Sequence, residues 1–267
     1  MVALGSSFAA GPGITPVIDR QAGRSGLNYA HLVAGRLGLE LVDATVSGAT
    51  TSTILDTPQR VGRRTFAPQV SAVTPDASLV TITAAGNDLG YLRGVMTTAI
   101  LNRAYRRTLL RPLVRRLRVR LPPREVSRQA VEDATEGLAR IVVEVHHRSP
   151  AARVVLVDYL PIFTAATTPD ASALFENTEI ADFRRVADIV TGVFETAGRR
   201  AGAEVVTARR YSQPRGTATT SPWVFGLRPL RQLGSSFHPT AAGMEEVARV
   251  LVDHLATDGA APGGASG

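Results

Sequence analysis

The sequence predicts a three-layer α/β/α fold built on a five-stranded parallel β-sheet. Five short apolar runs, rich in β-branched residues, have the length and composition of strands. Segments with apolar residues at helical spacing separate them, and this alternation is typical of a parallel sheet that helices cover on both faces. Three of the runs end in loops of small or amide residues, and open α/β sheets carry their functional groups in such loops.

The amino-terminal part of the chain predicts a strand–helix–strand unit. Residues 2–4 form the first strand and meet a loop of small residues that starts at Gly5. Residues 28–37 have apolar side chains at helical spacing, and Gly38 fits the left-handed cap that ends many helices. Residues 39–44 form the second strand, so this region is typical of a βαβ unit.

The rest of the chain continues the alternation of strands and helices. The other expected elements are a polar loop at 14–26, a partly helical stretch at 53–72, a strand at 78–84, a helix at 126–147, a strand at 152–159, a loop at 160–178, a helix at 179–201, a strand at 204–206, an irregular loop at 208–237 and a helix at 240–255. Pro239 fits the first turn of that final helix. We expect one domain over 1–257 and a disordered, Gly- and Ala-rich tail at 258–267.

Residues 92–124 differ in character from the rest of the chain. This stretch holds ten arginines among leucines and ends at Pro122-Pro123. The pattern predicts a helical, amphipathic insertion between a sheet strand and the next helix. Two interpretations remain open: an arginine face in water over a leucine face packed on the domain, or contact with an anionic membrane surface.

Composition excludes several classes of site. The chain has no cysteine, which rules out disulfides, thiolate metal sites and cysteine nucleophiles. The formal net charge is +7, and all 30 basic residues are arginine, so an anionic partner is conceivable. However, no nucleic-acid-binding motif accompanies the charge, and we expect no nucleic-acid partner and a monomer.

The sequence also carries signals about location. No run of eighteen apolar residues occurs, so no transmembrane helix is expected. No signal-peptide pattern is visible, which predicts a cytoplasmic protein as the sequence is written, or a secreted one if a leader precedes it.

The loops that follow the strands offer the parts of an acyl-transfer site. Ser7 follows the first strand, Gly48 the second and Asn87 the third, and parallel strand ends share one edge of a sheet. A serine hydroxyl needs a base, and His238 lies at that edge, where the long loop meets the last helix. The N–H groups of Ser7 and Gly48 and the amide of Asn87 are suitable oxyanion donors. Taken singly, Gly48 could only make a turn and Asn87-Asp88 could only cap a helix.

Four blocks of the sequence resemble those of a known family. They are GSSFAAG at residues 5–11, SGATT at 47–51, AGND at 85–88 and SFHPT at 236–240. In this order they are similar to the motifs of the SGNH hydrolases, or GDSL esterases/lipases, and most similar to the actinobacterial secreted lipase/esterase branch. The resemblance covers residues 2–256 and implies a flavodoxin-like α/β/α fold.

The resemblance also implies a role for each site residue. Ser7 would be the nucleophile, His238 the base, and the Ser7 N–H, Gly48 and Asn87 the oxyanion hole, with an acyl-serine intermediate. No cofactor or metal is implied. The expected activity is hydrolysis of small-molecule or lipid carboxylic esters. An unperturbed His238 would titrate near pH 6.5.

Two positions depart from the family pattern. Ser6 stands where the family has the aspartate of GDS, which helps to hold the loop. Ser235 stands where the family has an acid three residues before the histidine. In part of the actinobacterial branch a backbone carbonyl orients the histidine instead. By analogy the carbonyl of Ser235 or Ser236 would accept the Nδ1 proton of His238, which predicts a Ser–His dyad.

Other functions stay open at this point. The same site would serve an acyltransferase or a carbohydrate O-deacetylase. Because Ser6 and Ser235 replace two acids, the chain could also be a non-catalytic binding protein on a degraded hydrolase scaffold. A basic surface-binding module that uses residues 92–124 is a further alternative.

Overall fold

The structure, a computed structural model, describes residues 1–106, 125–169, 174–211, 216–217 and 222–257. Its strands are β1 (Val2–Gly5), β2 (Val17–Asp19), β3 (Arg24–Ser25), β4 (Val42–Asp43), β5 (Gln59–Val61), β6 (Arg64–Phe66), β7 (Leu79–Thr83), β8 (Arg153–Val157) and β9 (Glu204–Val206). Its α-helices are α1 (Ser7–Ala10), α2 (Tyr29–Leu37), α3 (Thr51–Leu55), α4 (Tyr91–Tyr105), α5 (Arg128–Arg148), α6 (Asn177–Ala201), α7 (Ala208–Tyr211) and α8 (Ala241–Thr257).

Five parallel strands form the central sheet, in the order β4-β1-β7-β8-β9. Strand β1 pairs with β7 over its whole length, from Val2 opposite Val80 to Gly5 opposite Thr83. Every residue of β1 and β7 is buried, as expected for central strands covered on both faces. The predicted five-stranded parallel sheet and fold class are therefore confirmed.

The helices divide into two layers because of the strand order. The chain moves from β1 to β4 in one direction across the sheet, and from β7 through β8 to β9 in the other. Right-handed crossovers then put α2 on one face and α5 and α6 on the other. Helix α2 packs against α8, and α5 packs against α3 and α6, as this arrangement requires.

Local signals in the sequence set the helix ends. Asn28 caps α2 by accepting a hydrogen bond from the His31 N–H, and Gly38 ends it at φ 63° with its own N–H on the Ala34 carbonyl. Ser127 caps α5 in the same way as Asn28 caps α2. The predicted helices at 28–37, 126–147 and 179–201 are present within two residues at each end.

Two small antiparallel hairpins lie where the sequence predicted other structure. Strands β2 and β3 form within the expected polar loop at 14–26, and β5 and β6 within the stretch expected to be partly helical at 53–72. These strands are two or three residues long, too short for side-chain alternation to reveal them. Ala22, Val46 and Phe66 form a small buried cluster beside the hairpins, separate from the main core.

The final helix begins later than predicted. Thr240, and not Pro239, precedes its first residue, and the Thr240 hydroxyl accepts a hydrogen bond from the Gly243 N–H as an N-cap. Pro239 pairs with Val224 in an isolated antiparallel bridge, so it belongs to the long loop. That loop also contains α7 and a 3₁₀ helix at Leu230–Ser235.

Part of the arginine-rich stretch is described. Helix α4 covers its beginning, whereas residues 107–124 lie outside the described residues, as does the predicted tail at 258–267. In the part of the chain that the structure describes, no helix is both long and apolar enough to cross a membrane.

Candidate active site

Ser7 lies at the carboxyl end of the central strand β1. It is the first residue of α1 and is almost fully buried. Gly5 ends the strand at φ 153°, and a Cβ there would come within 2.6 Å of the Thr83 carbonyl oxygen. Only glycine lets the chain pass so close to β7 before it turns into the loop that carries Ser7. The Ser6 N–H then donates to the same carbonyl at 2.9 Å.

Gln69 holds the start of this loop from the other side. Its Oε1 accepts from the Gly5 N–H at 2.7 Å, and its Nε2 donates to the Gly5 carbonyl at 3.1 Å. The side chain is buried, so both hydrogen bonds are shielded from water. Gln69 is 64 positions away along the chain, and the sequence analysis did not identify it.

His238 is held by backbone carbonyls. Its Nδ1 lies 2.9 Å from the carbonyl oxygen of Ser236, and its backbone N–H donates to the carbonyl of Ser235 at 3.3 Å. Because a carbonyl can only accept, Nδ1 carries the proton and Nε2 of the neutral ring is left as an acceptor. Phe237, just before it, has φ 59°, a conformation that is strained for a large side chain.

No Asp or Glu among the described residues forms a hydrogen bond or ion pair with His238. The Ser235 hydroxyl, at the position of the family's acid, donates to the carbonyl of Gln232. The Ser236 hydroxyl accepts from the Arg228 N–H, which fixes the peptide whose carbonyl holds the imidazole.

The His238 ring is buried, and burial lowers its pKa to about 4 although the two carbonyls act to raise it. The ring is therefore neutral at pH 7. Its Nε2 is buried and has no hydrogen-bond partner among the described residues, so the Ser7 hydroxyl does not bond to it here. Such catalytic hydrogen bonds are often long in unliganded sites.

The Gly48 loop follows β4 at the same sheet edge. Gly48 has φ 84°, which favours glycine, and the neighbouring Ser47 carbonyl accepts from the Gln59 side chain at 2.9 Å. No hydrogen-bond partner for the N–H of Ser7 or of Gly48 is found within the described ranges. Both N–H groups are therefore candidate oxyanion donors.

Asn87 follows β7 and contacts the Gly48 loop directly. Its Nδ2 donates to the carbonyl of Ala49 at 2.7 Å, which occupies one of the two amide N–H groups. Ala85, two residues before, has φ 72°, so the turn into this loop is strained. Non-glycine residues with left-handed backbone cluster at functional sites, and here they precede Asn87 and His238.

Asp88 ties these two loops together. Its carboxylate accepts from the Thr51 N–H at 3.0 Å and from the Thr51 hydroxyl at 2.7 Å. Asp88 therefore supports the first turn of α3, whose N-cap is Thr50, and no side chain caps α4, so Asn87-Asp88 does not cap the helix that follows it. Burial raises the pKa of Asp88, against the opposing effect of the Thr51 hydrogen bonds.

Tyr159 is a buried residue of the site that the sequence analysis missed. It follows β8, and its Oη lies 3.1 Å from the Ser6 hydroxyl and accepts from the Gly86 N–H at 3.1 Å. Its ring stacks on Phe8, with centroids 4.3 Å apart, and Phe8 in turn lies 5.6 Å from the ring of His238. The residues next to Ser7, Gly48 and Asn87 thus contact one another or the site residues, and these contacts bring the three loops and His238 into one region.

Two of the cavities that border α4 are large. One, of about 460 Å³, has Asp88, the residue after Asn87, among its lining residues, together with Gly94, Thr97 and Phe183. The other, of about 400 Å³, lies between the end of α4 and the loop at 227–233 that leads to His238. Both are large enough for part of a small ligand.

Comparisons with known proteins agree with the resemblance drawn from the sequence blocks. Residues 3–246 match the model of the GDSL-like lipase/acylhydrolase family. The chain is 26% identical to Lipase 2 of Streptomyces coelicolor over 279 residues, which cover 96% of this chain and 86% of the relative.

Two solved structures have a similar fold. The extracellular lipase from Streptomyces rimosus has a TM-score of 0.72 and 22% identity, and covers 94% of this chain and 97% of its own. The phospholipase A1 from Streptomyces albidoflavus NA297 has the same TM-score and 21% identity, with the same coverage.

Proposed function

The chain belongs to the GDSL-like lipase/acylhydrolase family and is a carboxylic ester hydrolase, and we propose that it acts through a Ser7–His238 dyad. The observation that carries this proposal is the state of His238. Its Nδ1 proton is held by the Ser236 carbonyl, and the ring is neutral at pH 7. The remaining lone pair, on Nε2, is the one that a general base needs.

The mechanism follows from these roles. His238 takes the proton of Ser7 through Nε2 as the Ser7 Oγ attacks the ester carbonyl carbon. The N–H groups of Ser7 and Gly48 and the second amide N–H of Asn87 donate to the oxyanion that forms. The proton on Nε2 then passes to the leaving alkoxide, and an acyl-serine remains.

Hydrolysis of the acyl-serine uses the same groups. His238 takes a proton from water, which attacks the acyl carbon, and returns that proton to the Ser7 Oγ as the acid leaves. During both steps the imidazolium is stabilised by a neutral carbonyl of Ser236. A carbonyl stabilises the cation less than a carboxylate does, but it also fixes the tautomer.

We propose that the substrates carry acyl chains longer than acetyl. The cavity that Asp88 helps to line has a volume of about 460 Å³, far more than an acetyl group occupies. A longer chain that left the oxyanion site past Asn87 would enter it and bury apolar surface. An acyltransferase would use the same site with another acceptor in place of water.

A panel of p-nitrophenyl esters of graded chain length, from acetate upward, tests both proposals. We expect Ser7→Ala and His238→Ala to lower kcat by about 10⁴-fold or more. His147→Ala is the matched control for His238→Ala because the His147 side chain is exposed, near the end of α5. Equal turnover by wild type and Ser7→Ala would leave the non-catalytic scaffold as the better interpretation. The highest kcat/KM on acetate would favour a deacetylase.

We also propose that the site faces an anionic lipid surface. Leu230 is 88% exposed on the loop that leads to His238, and it borders the cavity at the end of α4. Arg103 lies at the end of α4, and Arg228 and Arg231 lie on the loop at 227–233. Positive charge therefore surrounds the exposed Leu230 side chain. Arg103 belongs to the described part of the arginine-rich stretch.

A further inference from the structure

Tyr159 contacts both loops that carry the proposed reacting groups. Its Oη accepts from the Gly86 N–H at 3.1 Å, and Gly86 directly precedes Asn87. The same Oη lies 3.1 Å from the hydroxyl of Ser6, which directly precedes Ser7. The Gly86 N–H can only donate, so the phenol oxygen accepts from it, and either hydroxyl of the Ser6–Tyr159 pair can donate to the other.

The ring of Tyr159 fixes the same two loops by packing. It stacks on Phe8, the residue after Ser7, with an interplanar angle of 13°. It also lies so close to Gly86 that a Cβ there would come within 2.1 Å of its Cε2. The nucleophile loop is therefore held on both sides of Ser7, and the oxyanion loop is pressed against the same ring.

We propose that Tyr159 is a positioning residue that sets the distance between the Ser7 nucleophile and the Asn87 oxyanion donor, acting through Ser6 and Gly86. The inference rests on the function proposed above for Ser7 and Asn87. A displacement of about 1 Å between such groups can lower the rate by about 10²-fold. One side chain that bridges the two loops restricts that displacement.

The bridge is neutral, which suits its surroundings. Ser6 and Tyr159 are both buried, and burial raises the pKa of Tyr159 to about 12, so the phenol stays protonated and neutral throughout the working pH range. A carboxylate in place of Ser6 would have to lose its hydration in this position. In this chain a hydroxyl pair holds the loop at the position where the GDS motif has its aspartate.

Tyr159→Phe and Ser6→Ala test the proposal because each removes one oxygen and leaves the ring stack in place. For each we expect kcat to fall by about 10- to 100-fold with KM within about twofold. The double variant should be no worse than the more impaired single variant, since both changes break one bridge. Kinetic constants are expressed per site titrated with a fluorophosphonate, so misfolded protein does not count.

Tyr29→Phe is the matched control. Tyr29 is equally buried, and its hydroxyl is hydrogen-bonded to the Thr83 hydroxyl at 2.9 Å, but it contacts neither Ser6 nor Gly86. It should lose stability as Tyr159→Phe does while its kcat stays within twofold of wild type. Equal kcat losses in the two tyrosine variants would mean that the effect is only structural and would overturn the proposal.

Two other outcomes also overturn it. One is a kcat of Tyr159→Phe equal to that of wild type. The other is a kcat loss in the double variant equal to the product of the two single losses, which would show that the two hydroxyls do not act as a unit. These results differ from a failure of the proposed function, in which Ser7→Ala itself would remain active. If Tyr159→Phe does not fold, Ser6→Ala is compared with wild type instead, and the same fall in kcat with nearly unchanged KM is expected.

Discussion

The Nδ1 of His238 lies 2.9 Å from the carbonyl oxygen of Ser236, and among the described residues no carboxylate bonds to this ring. The Ser236 carbonyl determines which nitrogen of the ring carries the proton. The carbonyl does this without placing a negative charge beside the imidazole. Burial therefore lowers the His238 pKa, and only the weaker effect of the neutral carbonyls opposes it.

The pH dependence of the activity should reflect this environment. Only neutral His238 can accept the Ser7 proton, so activity is present above the His238 pKa and is lost as the pH falls through it. Burial lowers that pKa to about 4, and kcat/KM should therefore persist well below pH 6.5. A kcat/KM profile from pH 3.5 to 8 measures this. An acid limb centred at or above pH 6.5 would contradict the account.

Replacement of carboxylates should have little effect on catalysis. Asp88 and Asp158 are the acidic residues that follow β7 and β8, and Asn is the matched replacement for each. Asp88→Asn and Asp158→Asn should keep kcat/KM within about tenfold of wild type, because neither residue contacts His238. A loss near 10⁴-fold in either variant would identify a triad acid and exclude the dyad.

Asn87 should contribute to the rate and not to substrate binding. Asn87→Ala removes an oxyanion donor, and we expect kcat to fall by about 10²- to 10³-fold with little change in KM. Asn177→Ala is the control, since Asn177 is exposed at the start of α6. If KM rose and kcat stayed the same, Asn87 would bind the substrate in its ground state instead.

The local motifs of the site could be predicted from the sequence, whereas the contacts that support them could not. Ser7, Gly48, Asn87 and His238 each lie in a short block at a strand end or helix start. Their partners are distant along the chain: Tyr159 is 153 positions from Ser6, and Gln69 is 64 positions from Gly5. No spacing rule relates such pairs, because the sheet order alone brings them together.

The length of an element likewise decides whether the sequence could predict it. Buried central strands and long amphipathic helices extend over enough residues to show their periodicity, as in β7 and α5. The hairpins at 17–25 and 59–66 bury only a few side chains, among them Phe66 and the nearby Val46. Their pairing depends on contacts with the rest of the domain, and a short segment does not reveal it.

Contact with an anionic lipid surface should depend on Leu230. Burial of one leucine in a lipid interface contributes about 1.5–3 kcal/mol, so Leu230→Ser should weaken vesicle binding about tenfold or more. Val143→Ser, on the 59% exposed Val143 of α5, is the matched control and should bind normally. Sedimentation with phosphatidylglycerol and with phosphatidylcholine vesicles measures both effects. Binding that ignores anionic lipid content, or that survives Leu230→Ser, would contradict a role for this surface.

Ser7, and not its neighbour Ser6, is the nucleophile that we propose His238 activates. The most direct measurement is reaction of the intact chain with a fluorophosphonate, followed by fragmentation of the peptide that holds both serines. The account predicts one adduct per chain, located on Ser7, and none in Ser7→Ala or at pH values below the His238 pKa. An adduct on Ser6, or no adduct in active wild-type protein, would contradict it.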